Sequence, residues 1–244
     1  MRTTDMVDEL FRGPETELPA GVRLATAKRG GVTVTRVEIT REGLARPRGR
    51  YVTLEMPSVS VLDERDTDVI ETGAAELRAL LPPEGPVLVL GIGNRRVTAD
   101  ALGPRTAQKI LVTMGPQHTL PVRGIRPVAA LAPGVSGDTG LTLRQLAAAM
   151  VDAVRPAALI CVDSLCSAEA ARLGRTIQFS DTGLHPADAR HARHLDAAAL
   201  GVPVIAAGIP TLMDADEGAD LVLTPRALDS VIAHGSALLA GILN

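Results

Sequence analysis

The sequence predicts an α/β fold: a doubly wound, mostly parallel sheet with helices on both faces, plus a β-rich N-terminal extension. Three observations predict it. Runs 86–91, 157–162 and 202–207 are apolar almost throughout, the pattern of strands buried on both faces. Between such runs lie segments whose apolar residues recur at helical spacing. Ahead of residue 66 the pattern is instead β-branched and partly alternating, which is strand-like. Two regions follow: an arm and β-rich extension over 1–65, and an α/β domain over 66–244, together one compact unit.

Residues 1–20 are polar and acidic, with Pro14 and Pro19, and read as an arm. Residues 21–27 and 32–39 flank the turn Lys28-Arg29-Gly30-Gly31 and form a hairpin. Residues 49–55 give a further strand. Over 66–81, apolar side chains at 69, 70, 74, 77, 80 and 81 make one helix face, and Pro82-Pro83 ends it. A strand over 86–91 leads to a helix over 104–113, then a short strand over 128–131. The Ala-rich stretch 143–154 is helical, and Pro156 stops it. Strands over 157–162, 175–180 and 202–207 follow, and a helix over 227–243 closes the chain.

Composition narrows the function. The 46% apolar content supplies a large core, nearly all Ala, Val, Leu and Ile. With no Trp, one Tyr and two Phe, the chain lacks stacking platforms for single-stranded nucleic acid. The net charge of −3 argues against a DNA-binding surface, so no direct nucleic-acid partner is expected. Cys161 and Cys166 are too few for a disulfide framework and lack the second pair of a zinc site. They read as reduced core thiols of a cytoplasmic protein. The N-terminus has no apolar signal core, and no run reaches the roughly 18 residues that span a bilayer; no membrane partner is expected.

The stretch 91–104, GIGNRRVTADALGP, raises the choice between a phosphate and an acid. A dinucleotide fingerprint fails because Arg96 stands where its third glycine belongs, and no P-loop is present. Ligand sites of open α/β sheets lie beyond the carboxyl ends of the strands. By that rule Asn94 and Asp100 follow strand 86–91, Asp163 follows 157–162, Asp181 and His185 follow 175–180, and Pro210, Thr211 and Asp214 follow 202–207. Asp163 comes straight after Leu159-Ile160-Cys161-Val162, and desolvation there raises a carboxyl pKa. Opposite Asp100 it would share one proton. One carboxylate then takes a proton from water while the other donates, which hydrolyses an amide with no covalent intermediate. The alternative is that each aspartate only caps the helix after it. Gly134 and Ser136 match half of a nucleophile elbow, and Asp138 breaks the match. His185, His191 and His194 raise metal binding, against which stands the commoner reading of surface histidines in a polar loop.

Short stretches then carry a resemblance. They are Arg2-Thr3-Thr4-Asp5, Gly49-Arg50-Tyr51-Val52-Thr53-Leu54-Glu55, Val89-Leu90-Gly91-Ile92-Gly93-Asn94 and Val97-Thr98-Ala99-Asp100-Ala101-Leu102-Gly103-Pro104. Further along stand Ala132-Pro133-Gly134-Val135, Asp163-Ser164-Leu165, Thr176-Ile177-Gln178-Phe179-Ser180-Asp181-Thr182-Gly183 and Gly208-Ile209-Pro210-Thr211. In this order the chain resembles the germination proteases of spore-forming bacteria, endopeptidases that degrade small acid-soluble spore proteins.

The resemblance implies catalysis by Asp100 and Asp163; Asn94, Asp181, His185 and Thr211, which the strand-end rule places nearby, are expected to support the site or hold substrate. It implies a homotetramer in the spore-core cytoplasm, no cofactor, and a precursor cut at Asp5-Met6. The fold is similar to that of the hydrogenase-maturation endopeptidases, which bind nickel; by that analogy Asp100, Asp163 and His185 are weak metal candidates. A metal-dependent maturation peptidase and a non-catalytic relative that binds peptides are the rival readings. The chain departs from the family in the loop 187–193 and in a much shorter connection after Asp214.

Overall fold

The computed structural model describes residues 3–11, 18–62, 66–115, 125–185, 194–215 and 221–244. The loop 187–193, with His191, lies outside them. The elements run α1 (Val7–Leu10), β1 (Val22–Arg29), β2 (Val32–Ile39), β3 (Gly49–Glu55), α2 (Thr67–Leu80), β4 (Val87–Gly91), α3 (Leu102–Ala107) and β5 (Val128–Leu131). They continue with α4 (Ser136–Thr139), α5 (Leu143–Val154), β6 (Ala158–Cys166), β7 (Thr176–Ser180), α6 (Ala197–Leu200), β8 (Val204–Asp214), β9 (Val222–Leu223) and α7 (Leu228–Leu243).

One sheet of nine strands carries the molecule, in the order β1-β2-β3-β7-β8-β6-β4-β5, with β9 on the end of β8. β5, β4, β6 and β8 are mutually parallel, and this is the doubly wound unit that the apolar runs predict. β7 joins β8 antiparallel, β3 joins β7, and the predicted hairpin β1-β2 completes the sheet. The N-terminal strands therefore extend the main sheet.

Side chains alternate across the strands and make two cores. Val87, Val89, Ile160, Val162, Ile205 and Ala207 face α2, α3 and α7. Leu88, Leu90, Leu159, Cys161 and Val204 face α5 and α6. α5 starts at a capping box in which Thr142 and Gln145 satisfy each other's backbone N–H groups. A third, smaller cluster packs Val7 and Phe11 of the N-terminal segment on Val37, Ile39 and Tyr51.

Three boundaries differ from expectation. The helix expected over 104–113 occupies only Leu102–Ala107. Its apolar continuation splits instead: Ile110 is buried, while Leu111 and Val112 are exposed. β6 runs on to Cys166 and β8 to Asp214, past Gly208 and Pro210, which look like turn residues in the sequence. Pro210 is tolerated because the register with β6 slips between Leu165 and Cys166, and its carbonyl accepts from Gly174 N at 2.8 Å. β7 runs against the parallel strands, so its carboxyl end lies at the opposite edge of the sheet from theirs.

Candidate active site

The glycines of 91–104 are there for close approach. A Cβ on Gly91 would collide with Gly103 O, and one on Gly103 would collide with the carbonyls of Val162 and Ile92. α3 therefore packs its backbone directly on the ends of β4 and β6. Gly93 takes φ +120°, a region that disfavours side chains, and its missing Cβ leaves room for the Asp100 backbone. Asn94 N donates to Asp100 Oδ2 at 2.7 Å. The loop thus wraps a carboxylate.

Asp100 closes a 3-10 turn, Thr98–Asp100, just before α3. Thr211 is fully buried, and its hydroxyl donates to Ala99 O at 2.8 Å, tying this turn to β8. Asn94 acts through its backbone, while its side-chain oxygen accepts from Arg96 N at 3.0 Å and shapes the loop. Both residues position Asp100.

Asp163 is not beyond its strand but inside β6, in register with Gly208. It is 5% exposed, and Oδ1 accepts from Ser164 N at 2.8 Å. Gly208 has no side chain where the Asp163 carbonyl passes. Ile92 N donates to Val162 O at 2.8 Å, continuing the β4–β6 pairing one residue past Gly91–Val162 and bringing Ile92 level with Asp163. Burial first, and the Asp163 charge second, push the Cys161 thiol well above the usual range.

The other carboxylate expected here is elsewhere. Because β7 is antiparallel, Asp181 emerges at the far edge of the sheet. Its oxygens accept from Arg50 N and Arg50 Nε, both at 2.7 Å, so it fastens β7 to β3. His185 has Thr182 O, His194 and Asp196 as its side-chain partners, and Arg46 donates to its carbonyl at 2.7 Å. Ser136 opens the single turn of α4 and is exposed. Both cysteines are free, Cys161 buried and Cys166 partly so.

The N-terminal segment is the feature that sequence reasoning missed. Asp5 N donates to Cys166 O, and Cys166 N to Asp5 Oδ2, each at 2.8 Å. Gln178 clasps the same segment, donating to Asp5 O at 2.8 Å and accepting from Val7 N at 2.7 Å. Arg172, 4% exposed, pairs with Asp8 at 2.6 Å and lies 3.5 Å from Glu9. The Asp5-Met6 bond expected to be cut is therefore held down, with Met6 fully buried. It also sits beside Cys166, three residues past Asp163, or about 10 Å along a strand.

No helix among the described residues is long and apolar enough to cross a membrane.

Comparison with known proteins gives this geometry a context. A germination protease of Clostridium perfringens (strain SM101 / Type A) is 38% identical over 208 residues, covering 79% of this chain and 64% of that protein. One from Bacillus velezensis is 38% identical over 222 residues, covering 84% and 58%. One from Caldanaerobacter subterraneus is 40% identical over 222 residues, covering 85% and 67%. The chain spans less than two-thirds of the length of the first two. Among solved structures, a [NiFe] hydrogenase maturation protease, HycI, from Thermococcus kodakarensis matches 69% of this chain and 99% of its own, with TM-score 0.44 and 16% identity. The germination protease profile matches residues 5–234, from the clasped N-terminal segment through Asp100 and Asp163 into α7, and on that match the chain belongs to the germination protease family.

Proposed function

We propose that this chain is an endopeptidase that hydrolyses small acid-soluble spore proteins, with Asp100 and Asp163 as its catalytic pair. The observation that carries this reading is the glycine loop around Asp100: Gly93 leaves room for it, Asn94 N donates to its carboxylate, and Gly103 packs on the carbonyl of Val162, next in sequence to the buried Asp163. One carboxylate takes the proton of an attacking water. The other, protonated, hydrogen-bonds the scissile carbonyl oxygen and then protonates the departing amine nitrogen. Both protons come from groups already present, so no covalent intermediate or cofactor is required. Substrates of this kind are polar and disordered when free, and so enter a cleft as extended chain.

The same reading extends to assembly and processing. The chain acts as a homo-oligomer, a tetramer, in the spore-core cytoplasm. Cleavage at Asp5-Met6 requires the N-terminal segment to leave Gln178 and Cys166 first, because the carbonyl of that bond accepts from Gln178 while the backbone and carboxylate of Asp5 are bonded to Cys166. Processing is then triggered by whatever loosens that segment.

The test is digestion of a purified small acid-soluble spore protein by the full chain, read by mass spectrometry. A few discrete cuts in that protein support the reading. An intact substrate after prolonged incubation with folded chain overturns it.

A further inference from the structure

Two histidines outside the aspartate pair meet in a way that the proposed hydrolysis does not use. Leu184 and Leu195 form an isolated antiparallel bridge, exchanging both backbone hydrogen bonds at 2.8 and 3.1 Å. Both leucines are buried, at 4% and 0% exposure, in the core under α5 and α6. The bridge is a hydrogen-bonded pair, so the next residues outward, His185 and His194, form the neighbouring pair whose side chains stand closest. Their Nδ1 atoms are 3.1 Å apart, and the rings meet edge to face at 69°. A locked bridge thus presents two imidazoles in fixed orientation.

The outer nitrogen of His185 fixes its tautomer. Nε2 lies 2.8 Å from the carbonyl of Thr182, which can only accept, so Nε2 carries the hydrogen. Neutral His185 therefore turns a lone pair on Nδ1 toward His194. A ring N–H donated to a backbone carbonyl is also the usual outer support of a metal-ligating histidine. The ligand spacing fits as well. Metal–nitrogen bonds of about 2.0–2.1 Å put two nitrogens roughly 2.9 Å apart at a right angle and roughly 3.4 Å apart at a tetrahedral angle. The observed 3.1 Å falls between.

We propose that His185 and His194 form a site for a divalent transition-metal cation, of the zinc or nickel class that imidazole favours. The cation sits off the line joining the two Nδ1 atoms, at the apex of that angle, and replaces the hydrogen bond between the rings once His194 holds its own hydrogen on Nε2. Asp196, 3.9 Å from His185 Nε2, adds negative charge at the outer side. Among the described residues no group of three or more His, Cys, Asp or Glu stands ready to hold a metal, so water completes the sphere. The site is anchored by the leucine bridge and independent of the hydrolytic reading. Arg46 links it to the N-terminal segment, donating to the carbonyls of both His185 and Thr4.

The experiment is calorimetric titration of the full chain with zinc chloride, beside His194→Ala and Asp163→Asn, each checked by circular dichroism. The expected result is one zinc per chain, with affinity falling at least about tenfold in His194→Ala, as even disturbed outer partners cause, and unchanged in Asp163→Asn. Absent binding, or equal binding by His194→Ala, overturns the proposal. Loss in Asp163→Asn alone assigns the metal to the aspartate pair and overturns it too. Should His194→Ala not fold, nitrogen NMR of the wild-type imidazoles decides: zinc must move the ring signals of His185 and His194, and unmoved signals reject the site.

Discussion

Asp163 and Cys161 lie on the same face of one strand, and their surroundings decide what each can do. Cys161 is fully buried, and burial together with the nearby Asp163 raises its thiol. Burial first, then Asp5 and Asp214, push Cys166 up to about 12. Thiolate is the reactive form. At pH 8 a disulfide reagent such as dithionitrobenzoate should therefore leave both thiols unmodified in the folded chain and titrate both in urea. Rapid labelling of the native protein would contradict that assignment. Tyr51 follows the same logic, since burial lifts it from 10.0 to about 12. The unfolded chain gives up that proton first, so this stability is whole below pH 10 and is lost as pH rises to about 12. Tyr51→Phe should lose about 1 kcal/mol at neutral pH with its hydrogen bond to Pro47 O, yet show a flatter decline in urea midpoint between pH 10 and 12. At this scale the burial of Asp163 was legible, because it follows four apolar strand residues directly; the sequence position gives that burial and not the role. Asp181 misled, because its position in the sequence does not reveal which way β7 runs.

At the scale of elements, hydrophobic period found the strands and the longer helices, and missed where they stop. The strand expected over 202–207 runs on through Gly208 and Pro210 to Asp214, carried by its pairing with β6 across a register slip. Tertiary pairing overrode the local signal. The helix after Asp100 erred the other way: Ile110, Leu111 and Val112 continued the apolar count but leave the helix. The glycines of 91–104 were recognisable as a sharp turn, though not the contact each serves. Gly103 gives the sharpest test. Its Cβ would strike two carbonyls, so Gly103→Ala should push α3 from β4 and β6, costing about 3 kcal/mol or more. Activity should fall further than stability, since Asp100 sits in the turn that leads into α3. A thermal melt beside a cleavage assay checks both, and an unchanged melting temperature would refute the packing argument.

The whole molecule is closed by contacts that no local pattern foretells. Residues 3–11 read as a polar arm, yet they pin β6, β7 and the segment of Arg172 across more than 150 positions of sequence. Arg172 and Asp8 are both nearly buried, so Arg172→Ala strands a charge and should cost roughly 3–5 kcal/mol. The same change should loosen the segment and expose Asp5-Met6 to cleavage, seen as a new N-terminus by mass spectrometry. Stability within about 0.5 kcal/mol of wild type would contradict this. The account as a whole rests on the aspartate pair. The measurement that reaches it most directly is the rate of cleavage of a small acid-soluble spore protein by wild type, Asp100→Asn and Asp163→Asn, each confirmed folded and each run with and without a chelator. The account predicts that either asparagine lowers the rate by about a thousandfold while the chelator leaves wild-type cleavage unchanged. Folded variants that cut as fast as wild type, or a wild type that a chelator silences, would contradict it.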